Sequence, residues 1–107
     1  MILKIDTTNR RKIKIWIIKN GQIIDKTVSQ NQLGSQTLLP SVNKILKKNK
    51  IKFANISQIK VNTGPGSFTG TRLGVSVANA LGFALNVPIN DKKGKIALPI
   101  YEKSKFD

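Results

Sequence analysis

The sequence predicts an α/β domain built on a mixed β-sheet with two main helices, and two observations predict this fold class. Three strand-like segments come first, and the second and third are joined by the pair Asn20-Gly21. Strand-like and helix-like segments then alternate, with a glycine-rich turn between a strand and the second helix. Antiparallel strands followed by alternating strands and helices are typical of a mixed sheet that carries helices. The length of 107 residues is that of one domain.

The first three elements are predicted strands. Residues 2–6 ("ILKID") form a short apolar strand that ends in an acid. Residues 12–18 ("KIKIWII") alternate lysine with isoleucine, which indicates a strand with one buried face. Residues 22–28 ("QIIDKTV") form another strand. Asn20-Gly21 suits a two-residue type I′ turn, in which both residues need a positive φ, and therefore predicts a hairpin.

The next element is a predicted helix over residues 34–50. Ser35 or Thr37 is expected to cap its start, and Pro40 lies in or near its first turn, where a missing N–H costs little. Lysines crowd the predicted end and complement the helix dipole there. Apolar residues fall on one stripe at helical spacing: Leu38, Leu39, Val42, Ile45 and Leu46.

The second half of the chain continues the alternation. A strand is predicted at 58–62, the glycine-rich turn follows it, and a second helix runs from about Ser67 to Asn86. Residues 87–89 ("VPI") form a short fifth strand. The tail begins as a polar linker, and its segment "ALPIY" (97–101) is apolar enough to dock on the domain.

The charge of the chain is +14, with 19 Lys and Arg against 5 Asp and Glu. Such a charge favours contact with nucleic acid or another anionic surface. The basic residues are spread along the sequence with no interleaved aromatic platform, and Lys, Ile and Asn share A/T-rich codons, so compositional bias explains the charge equally well. We expect a cytoplasmic protein without a membrane partner, because no apolar segment suits a signal peptide or a bilayer span.

The stretch "NTGPGSFTGTRLG" (62–74) resembles a phosphate-binding turn before a helix. It fails the spacing of both the P-loop and the dinucleotide fingerprint, and it contains no lysine to reach a phosphate. One interpretation is a nucleotide site with the cofactor-binding candidates Asp6, Gly64, Gly66 and Ser67. The other is a tight turn that only orients the helix, with Asp6 capping its own backbone.

The second predicted helix carries a stripe of small residues at four-residue spacing: Gly70, Gly74, Ala78 and Gly82. Glycine inside a helix costs up to about 1 kcal/mol relative to alanine, so the stripe indicates a very close contact. The contact is either with the sheet and first helix of this chain or with a helix of another protein. Arg72, in the first turn, binds an anion or a partner carboxylate, or is simply solvated.

The residue types that catalysis most often uses are scarce. The chain has no histidine and no cysteine, and its five acids are scattered. We therefore expect no catalytic residue, no metal site and no cofactor.

Three segments resemble the TsaB (YeaZ-like) family: "ILKIDTT" (2–8), "SQTLLPSVNKILKK" (35–48) and "GPGSFTGTRLGVSVANALGFA" (64–84). The block GPGSFTG-x-R, residues 64–72, is very specific to this family. The resemblance covers residues 1–89 as an N-terminal domain and leaves residues 90–107 as a linker and tail. It implies an actin-like, RNase H-like fold in a single lobe, because the second domain of the family is missing.

The resemblance also implies a function. TsaB proteins are non-catalytic partners of TsaD, the tRNA threonylcarbamoyltransferase, which carries a histidine metal motif that this chain lacks. The implied partners are a TsaD-like subunit bound through the helix pair, a TsaE-like ATPase, a second copy bound through the same pair, and tRNA, contacted indirectly or through the basic surface. The implied interface residues are Leu38, Leu39, Val42, Leu46, Gly70, Arg72, Leu73, Gly74, Val77, Ala78 and Leu81.

Departures from the family pattern leave alternatives open. "ALPIY" resembles a segment near the C-terminus of the family, which suggests an internal deletion that keeps both ends. Gly34 stands where the family usually has His, and Thr71 where it has Leu or Val. The leading hypothesis is a minimal scaffold that activates a TsaD-like enzyme. The alternatives are a nucleotide- or tRNA-binding module that uses the Gly64–Gly70 turn and the basic surface, and a decayed, inactive remnant.

Overall fold

Four strands form one mixed sheet in the computed structural model, which describes residues 1–9, 11–30, 35–66, 68–92 and 97–98. The strands are β1 (Ile2–Asp6), β2 (Lys12–Lys19), β3 (Gln22–Gln30) and β4 (Gln58–Val61), in the order β3-β2-β1-β4. β2 pairs antiparallel with β1 and β3, whereas β4 pairs parallel with β1. This arrangement confirms the predicted mixed sheet.

The hairpin between β2 and β3 is confirmed. Asn20 and Gly21 have φ values of 53° and 75°, and Lys19 pairs with Gln22 directly beside them. Both residues thus adopt the positive φ that a type I′ turn requires. A bulge follows, because Ile17 pairs with Asp25 while Ile18 pairs with Ile23. It places one extra residue, Ile24, in β3.

Both helices pack on one face of the sheet. α1 (Ser35–Lys48) lies against β2 and β3, and α2 (Phe68–Leu85) lies against β1 and β4. The alternating residues of the strands point to this face and form the core with the helices. The buried residues of the sheet are Leu3, Ile5, Ile13, Ile15, Ile17, Ile59 and Val61, and those of the helices include Leu38, Val42, Ile45, Leu46, Val75 and Ala78.

The ends of α1 differ in part from the prediction. Pro40 is the sixth helical residue, so it lies beyond the first turn and removes a hydrogen bond that the second turn would make. The side chains of Ser35 and Thr37 lie outside the described part of the structure. At the C-terminal end, the N–H of Ile51 donates to the carbonyl of Leu46 at 2.9 Å, and Lys50 has a φ of 56°. This geometry is a Schellman motif with lysine in the left-handed position.

Residues 87–89 form one bridge rather than a full strand. Ile89 pairs with Ile59 of β4, but Pro88 has no N–H to continue the ladder. The side chain of Asn90 then bonds to both the N–H and the carbonyl of Val61, where a further strand residue would pair. The short 3₁₀ helix Phe53–Asn55 was not predicted.

The described part of the tail docks on α2. Ala97 packs against the core, and its backbone exchanges two hydrogen bonds with the side chain of Asn79, at 2.8 and 2.9 Å. Leu98 is exposed, and residues 99–101 of the predicted docking segment lie outside the described residues.

Candidate functional site

The carboxylate of Asp6 lies at the C-terminal end of β1, next to the glycine-rich turn. Its Oδ1 accepts hydrogen bonds from the backbone N–H and the hydroxyl of Thr8, at 2.9 and 2.7 Å. Its Oδ2 accepts one from the side chain of Asn62 at 3.1 Å. Asp6 thus closes the turn that follows β1, which is the structural role that its position also predicted.

Two opposing effects act on the pKa of Asp6. Partial burial raises the pKa, since it disfavours the charged form. The hydrogen bonds from Thr8 and Asn62 and the positive charge of Lys14 favour the carboxylate and outweigh burial, so that the pKa lies below its ordinary value of 3.8. Asp6 is therefore held as an anion beside a basic strand.

The glycine-rich turn packs directly on the turn after β1. A Cβ placed on Gly66 would come within 2.6 Å of the Cβ of Thr8 and 2.9 Å of its carbonyl oxygen. Only glycine allows this approach, because such contacts are shorter than van der Waals distances. Close packing between two turns therefore accounts for Gly66, and Gly64 supplies a φ of 103°. Ser67, the fourth cofactor-binding candidate, lies outside the described residues.

The small-residue stripe of α2 faces this chain's own sheet. A Cβ on Gly74 would overlap the side chain of Thr7, and one on Gly82 would lie 2.6 Å from Ile89. Thr7 is fully buried, and its hydroxyl donates to the carbonyl of Gly70 at 2.5 Å. Of the two interpretations of the stripe, this placement favours contact with the sheet of the same chain, because Thr7 of the turn after β1 and Ile89 lie in front of Gly74 and Gly82.

The structure divides the eleven predicted interface residues into two groups. The buried group packs inside the chain and is not available to a partner in this conformation: Leu38, Val42, Leu46, Gly70, Gly74 and Ala78. The accessible group remains at or near the surface: Leu39, Arg72, Leu73, Val77 and Leu81. The difference arises because α1 and α2 direct their most regular stripes towards the sheet.

An apolar strip runs along the outer side of α2. We call it the outer strip, and its members are exposed or half-buried and recur at helical spacing: Leu73, Val77, Ala80, Leu81 and Ala84. Arg72 is the sole charged residue in the 18 residues of α2. The side chain of Phe83 is 91% exposed on the same helix. An exposed helix with an apolar outer side indicates a contact surface.

Phe83 was absent from the predicted interface. It lies off the stripe of small residues and off the apolar line Leu73, Val77, Leu81 and Leu85, so periodicity gave no reason to select it. The signal in the sequence was the near absence of charge throughout α2, which contrasts with a chain in which 22% of the residues are charged.

Thr71 is fully buried in α2, and its hydroxyl has no hydrogen-bond partner within the part of the chain that the structure describes. No group of three or more His, Cys, Asp or Glu side chains that could hold a metal occurs among the described residues. No helix formed by those residues is both long and apolar enough to cross a membrane.

The sequence resembles known families over most of its length. The family model of "TsaD: tRNA N6-adenosine threonylcarbamoyltransferase" matches residues 23–91. The "tRNA threonylcarbamoyladenosine biosynthesis protein TsaB" of Bacillus subtilis strain 168 is 32% identical over 90 residues, which are 83% of this chain and 39% of that protein. The TsaB of Buchnera aphidicola subsp. Baizongia pistaciae is 43% identical over 51 residues, 48% of this chain and 23% of that protein.

The fold also resembles a solved structure of the same family. "YeaZ from Pseudomonas aeruginosa" superposes with a TM-score of 0.74 at 28% identity, covering 82% of this chain and 41% of that one. This likeness confirms the predicted actin-like, RNase H-like fold. The chain spans less than half the length of these relatives.

Proposed function

Because the chain belongs to the TsaB/YeaZ family, we propose that it takes part in tRNA threonylcarbamoyladenosine biosynthesis as a non-catalytic subunit that binds a TsaD-like transferase. The observation that carries the proposal is the outer strip of α2. The strip presents apolar side chains with one flanking charge, Arg72, in a protein whose surface is otherwise rich in lysine.

The outer strip suits a helix of a partner protein. Leu73, Val77 and Leu81 already pack partly on the core, so their backbone positions are fixed before binding. A preformed surface loses little conformational entropy when it binds, which favours affinity. Leu39 of α1, a helix that contacts α2, is 48% exposed and offers a further apolar side chain. The surface that we propose therefore consists of the outer strip, Leu39 and Phe83.

The composition of the chain supports a non-catalytic role. It contains no His and no Cys, and Asp6 is engaged by Thr8 and Asn62. The transferase step would then depend on the partner. We expect the purified chain to show no peptidase activity and no threonylcarbamoyl transfer to tRNA by itself, and to raise the transfer rate of the TsaD-like subunit when the two are mixed.

The binding test uses the purified chain and the TsaD-type transferase of the same organism in isothermal titration calorimetry. Ala80→Glu places a carboxylate in the middle of the outer strip at an exposed helical position, where glutamate is compatible with the helix. An unpaired charge buried in an apolar interface costs several kcal/mol, so the dissociation constant should rise at least about a hundredfold.

The matched control is Ala54→Glu, which makes the same chemical change at an exposed position of the 3₁₀ helix. It should leave the affinity unchanged. If Ala80→Glu binds as tightly as the unchanged chain, the outer strip is not the interface. If the unchanged chain does not bind the transferase at all, the proposed function is wrong.

A second copy of the chain is the competing occupant of this surface. Light scattering of the chain alone, with and without Ala80→Glu, distinguishes the two. We expect a monomer, or a weak dimer that Ala80→Glu dissociates and that the transferase displaces. A dimer that persists with Ala80→Glu and excludes the transferase would contradict the proposal.

A further inference from the structure

The face of the sheet that is turned away from α1 and α2 is strongly basic. Side chains alternate along a strand, so the residues between the buried ones point to this second face. We call it the open face, since no helix of the described residues lies against it. Its charged residues are Lys4, Lys12, Lys14, Lys26, Lys60 and Asp6. β3 adds the exposed apolar side chains of Ile23 and Val28, which pair with Ile18 and Lys14.

One row of the open face crosses all four strands. Lys60 of β4 pairs with Lys4 of β1, Lys4 pairs with Trp16 of β2, and Trp16 pairs with Lys26 of β3. Adjacent strands lie about 4.8 Å apart, so the row places three lysines around one tryptophan across roughly 14 Å. The sequence separates these residues widely, and the sheet topology brings them together.

Trp16 holds two of these lysines in place. The Nζ atoms of Lys4 and Lys26 lie 5.0 and 5.2 Å from the centroid of the Trp16 ring. Both distances are within the range of a cation–π interaction, which restrains a flexible lysine. The two ammonium groups are thus preorganised next to the ring, and a ligand that binds both loses less side-chain entropy.

The lysine row of the open face is unsuited to an apolar cover. Burying several unpaired ammonium groups under a helix would cost several kcal/mol for each charge. The fold gains nothing from the pairing of Lys4 with Lys60, because like charges directly opposite each other on neighbouring strands are destabilising. The chemistry that matches several ammonium groups beside an aromatic ring is a polyanion that also carries planar rings.

We propose that the open face binds RNA, with the phosphates on Lys4, Lys26 and Lys60 and a base against Trp16. RNA satisfies both features of the row, since its backbone is anionic and its bases stack on aromatic side chains. The named relatives act in tRNA modification, so RNA is a ligand that a protein of this kind would encounter. The open face lies opposite the outer strip of α2, so RNA binding does not depend on the proposed binding of a transferase.

The test follows the fluorescence of Trp16, which is the sole tryptophan of the chain. The probes are a twelve-nucleotide oligouridylate and an unmodified tRNA transcript, titrated at 50 mM salt with excitation at 295 nm. We expect saturable quenching, because a base that stacks on the ring or a phosphate that withdraws the lysines changes the environment of the indole. The observed affinity should fall as salt rises.

Two triple variants separate a local site from the overall charge. Lys4→Gln/Lys26→Gln/Lys60→Gln removes the row, whereas Lys44→Gln/Lys47→Gln/Lys52→Gln removes three exposed lysines elsewhere. Both lower the net charge equally, from +14 to +11. The first should weaken binding of the oligonucleotide at least about tenfold and reduce the salt slope by about 2, as expected for three phosphate contacts to a single strand. The second should change the affinity less than threefold.

Circular dichroism and thermal melting verify that both variants fold. Equal losses of affinity in the two variants would show that RNA responds only to total charge and would overturn the proposal, as would the absence of any fluorescence change. In a last experiment, vesicles of phosphatidylcholine and phosphatidylserine replace RNA in the fluorescence titration. If they quench Trp16 through the same three lysines and RNA does not, the open face binds a lipid surface instead.

Discussion

At Thr71 the fold buries a hydroxyl group that makes no hydrogen bond within the described part of the chain. An unpaired buried hydroxyl costs about 1–3 kcal/mol. Valine has nearly the same shape and lacks the hydroxyl, so Thr71→Val should raise the free energy of unfolding by about 1 kcal/mol or more. Urea denaturation measures the change.

A second threonine variant, Thr8→Val, serves as the control for Thr71→Val. The hydroxyl of Thr8 donates to Asp6, so its removal should lower the stability by about 1 kcal/mol. Opposite signs at the two threonines would establish that hydrogen bonding decides the outcome. A loss of stability in Thr71→Val would mean that its hydroxyl does have a partner in solution.

The ionisation of Asp6 should make the free energy of unfolding depend on pH. Its pKa is lowered in the folded protein, so the unfolded chain binds its proton first as the pH falls. The stability that Asp6 contributes is present above the unfolded pKa, near 3.8, and disappears as the pH falls through the lower, folded pKa. Asp6→Asn should therefore be less stable than the unchanged chain at pH 6, and the difference should shrink towards pH 2.

The quantity to compare is the difference in the free energy of unfolding between Asp6→Asn and the unchanged chain. Asp25 also adds a pH dependence to both proteins, because its pKa is lowered, first by a hydrogen bond from Asn49. Chemical denaturation at a series of pH values supplies the difference. A difference that stays constant from pH 6 to pH 2 would mean that the ionisation of Asp6 does not contribute to stability, and would contradict its lowered pKa in the folded protein.

At the scale of elements, the contact between α2 and β1 is set by Gly74 and Thr7. Gly74→Ala adds a methyl group that overlaps the side chain of Thr7, and overpacking of this kind costs about 1–3 kcal/mol. Thr7→Ala makes room but removes the hydrogen bond to Gly70. The double variant should be more stable than the sum of the two single effects predicts, by about 1 kcal/mol. Additive effects would show that the two residues do not touch.

The end of α1 supplies another prediction about an element. Lys50 has a φ of 56°, which costs a residue with a Cβ about 1 kcal/mol and costs glycine almost nothing. Lys50→Gly should therefore raise the free energy of unfolding by about 0.5–1 kcal/mol. Lys50→Ala removes the same charge without relieving the backbone and should not stabilise. Equal effects of the two variants would attribute the change to charge.

Elements were more predictable than the contacts between them. Alternation and the Asn20-Gly21 pair specify the strands and the hairpin because each signal is local. The bulge at Ile17 and Ile18 depends on the pairing of two strands, and the shortened fifth strand depends on the side chain of Asn90, which reaches back to Val61. Neither contact has a local pattern.

The candidate sites show the same limit. α2 carries small side chains on one side and larger apolar side chains on another, so its sequence alone does not tell which side packs on the sheet. The contacts of Gly74 with Thr7 and of Gly82 with Ile89 determine it. Along the sequence the basic residues show no interleaved aromatic platform. In the fold one aromatic side chain does lie between lysines, because the sheet brings Lys4 and Lys26 to the ring of Trp16.

At the scale of the whole molecule, a helical surface with little charge and a basic sheet surface lie on opposite sides of one sheet. The two surfaces suit different partners: an apolar strip favours a protein helix, and a lysine row favours a polyanion. According to the two proposals above, the transferase and RNA would bind at the same time, since neither ligand would cover the site of the other.

The excess of positive charge also affects the stability of the free protein. A chain with a net charge of +14 repels itself when folded, and the unfolded chain relieves this repulsion by expanding. Salt reduces the range of the repulsion from about 30 Å at 0.01 M to about 8 Å at 0.15 M. The melting temperature should therefore rise between 10 and 150 mM sodium chloride, by about 4–8 °C for each 1 kcal/mol gained.

The two triple variants locate this repulsion. The lysines of the row on the open face are close neighbours, whereas Lys44, Lys47 and Lys52 are exposed along α1 and the segment after it. Removing the row should raise the melting temperature at 10 mM salt more than removing the other three, and should leave a smaller further rise on adding salt. Equal salt responses in both variants would mean that the repulsion is spread over the whole surface. A melting temperature that falls with salt would mean that ion pairs such as Lys48–Asp25, 3.4 Å apart, outweigh it.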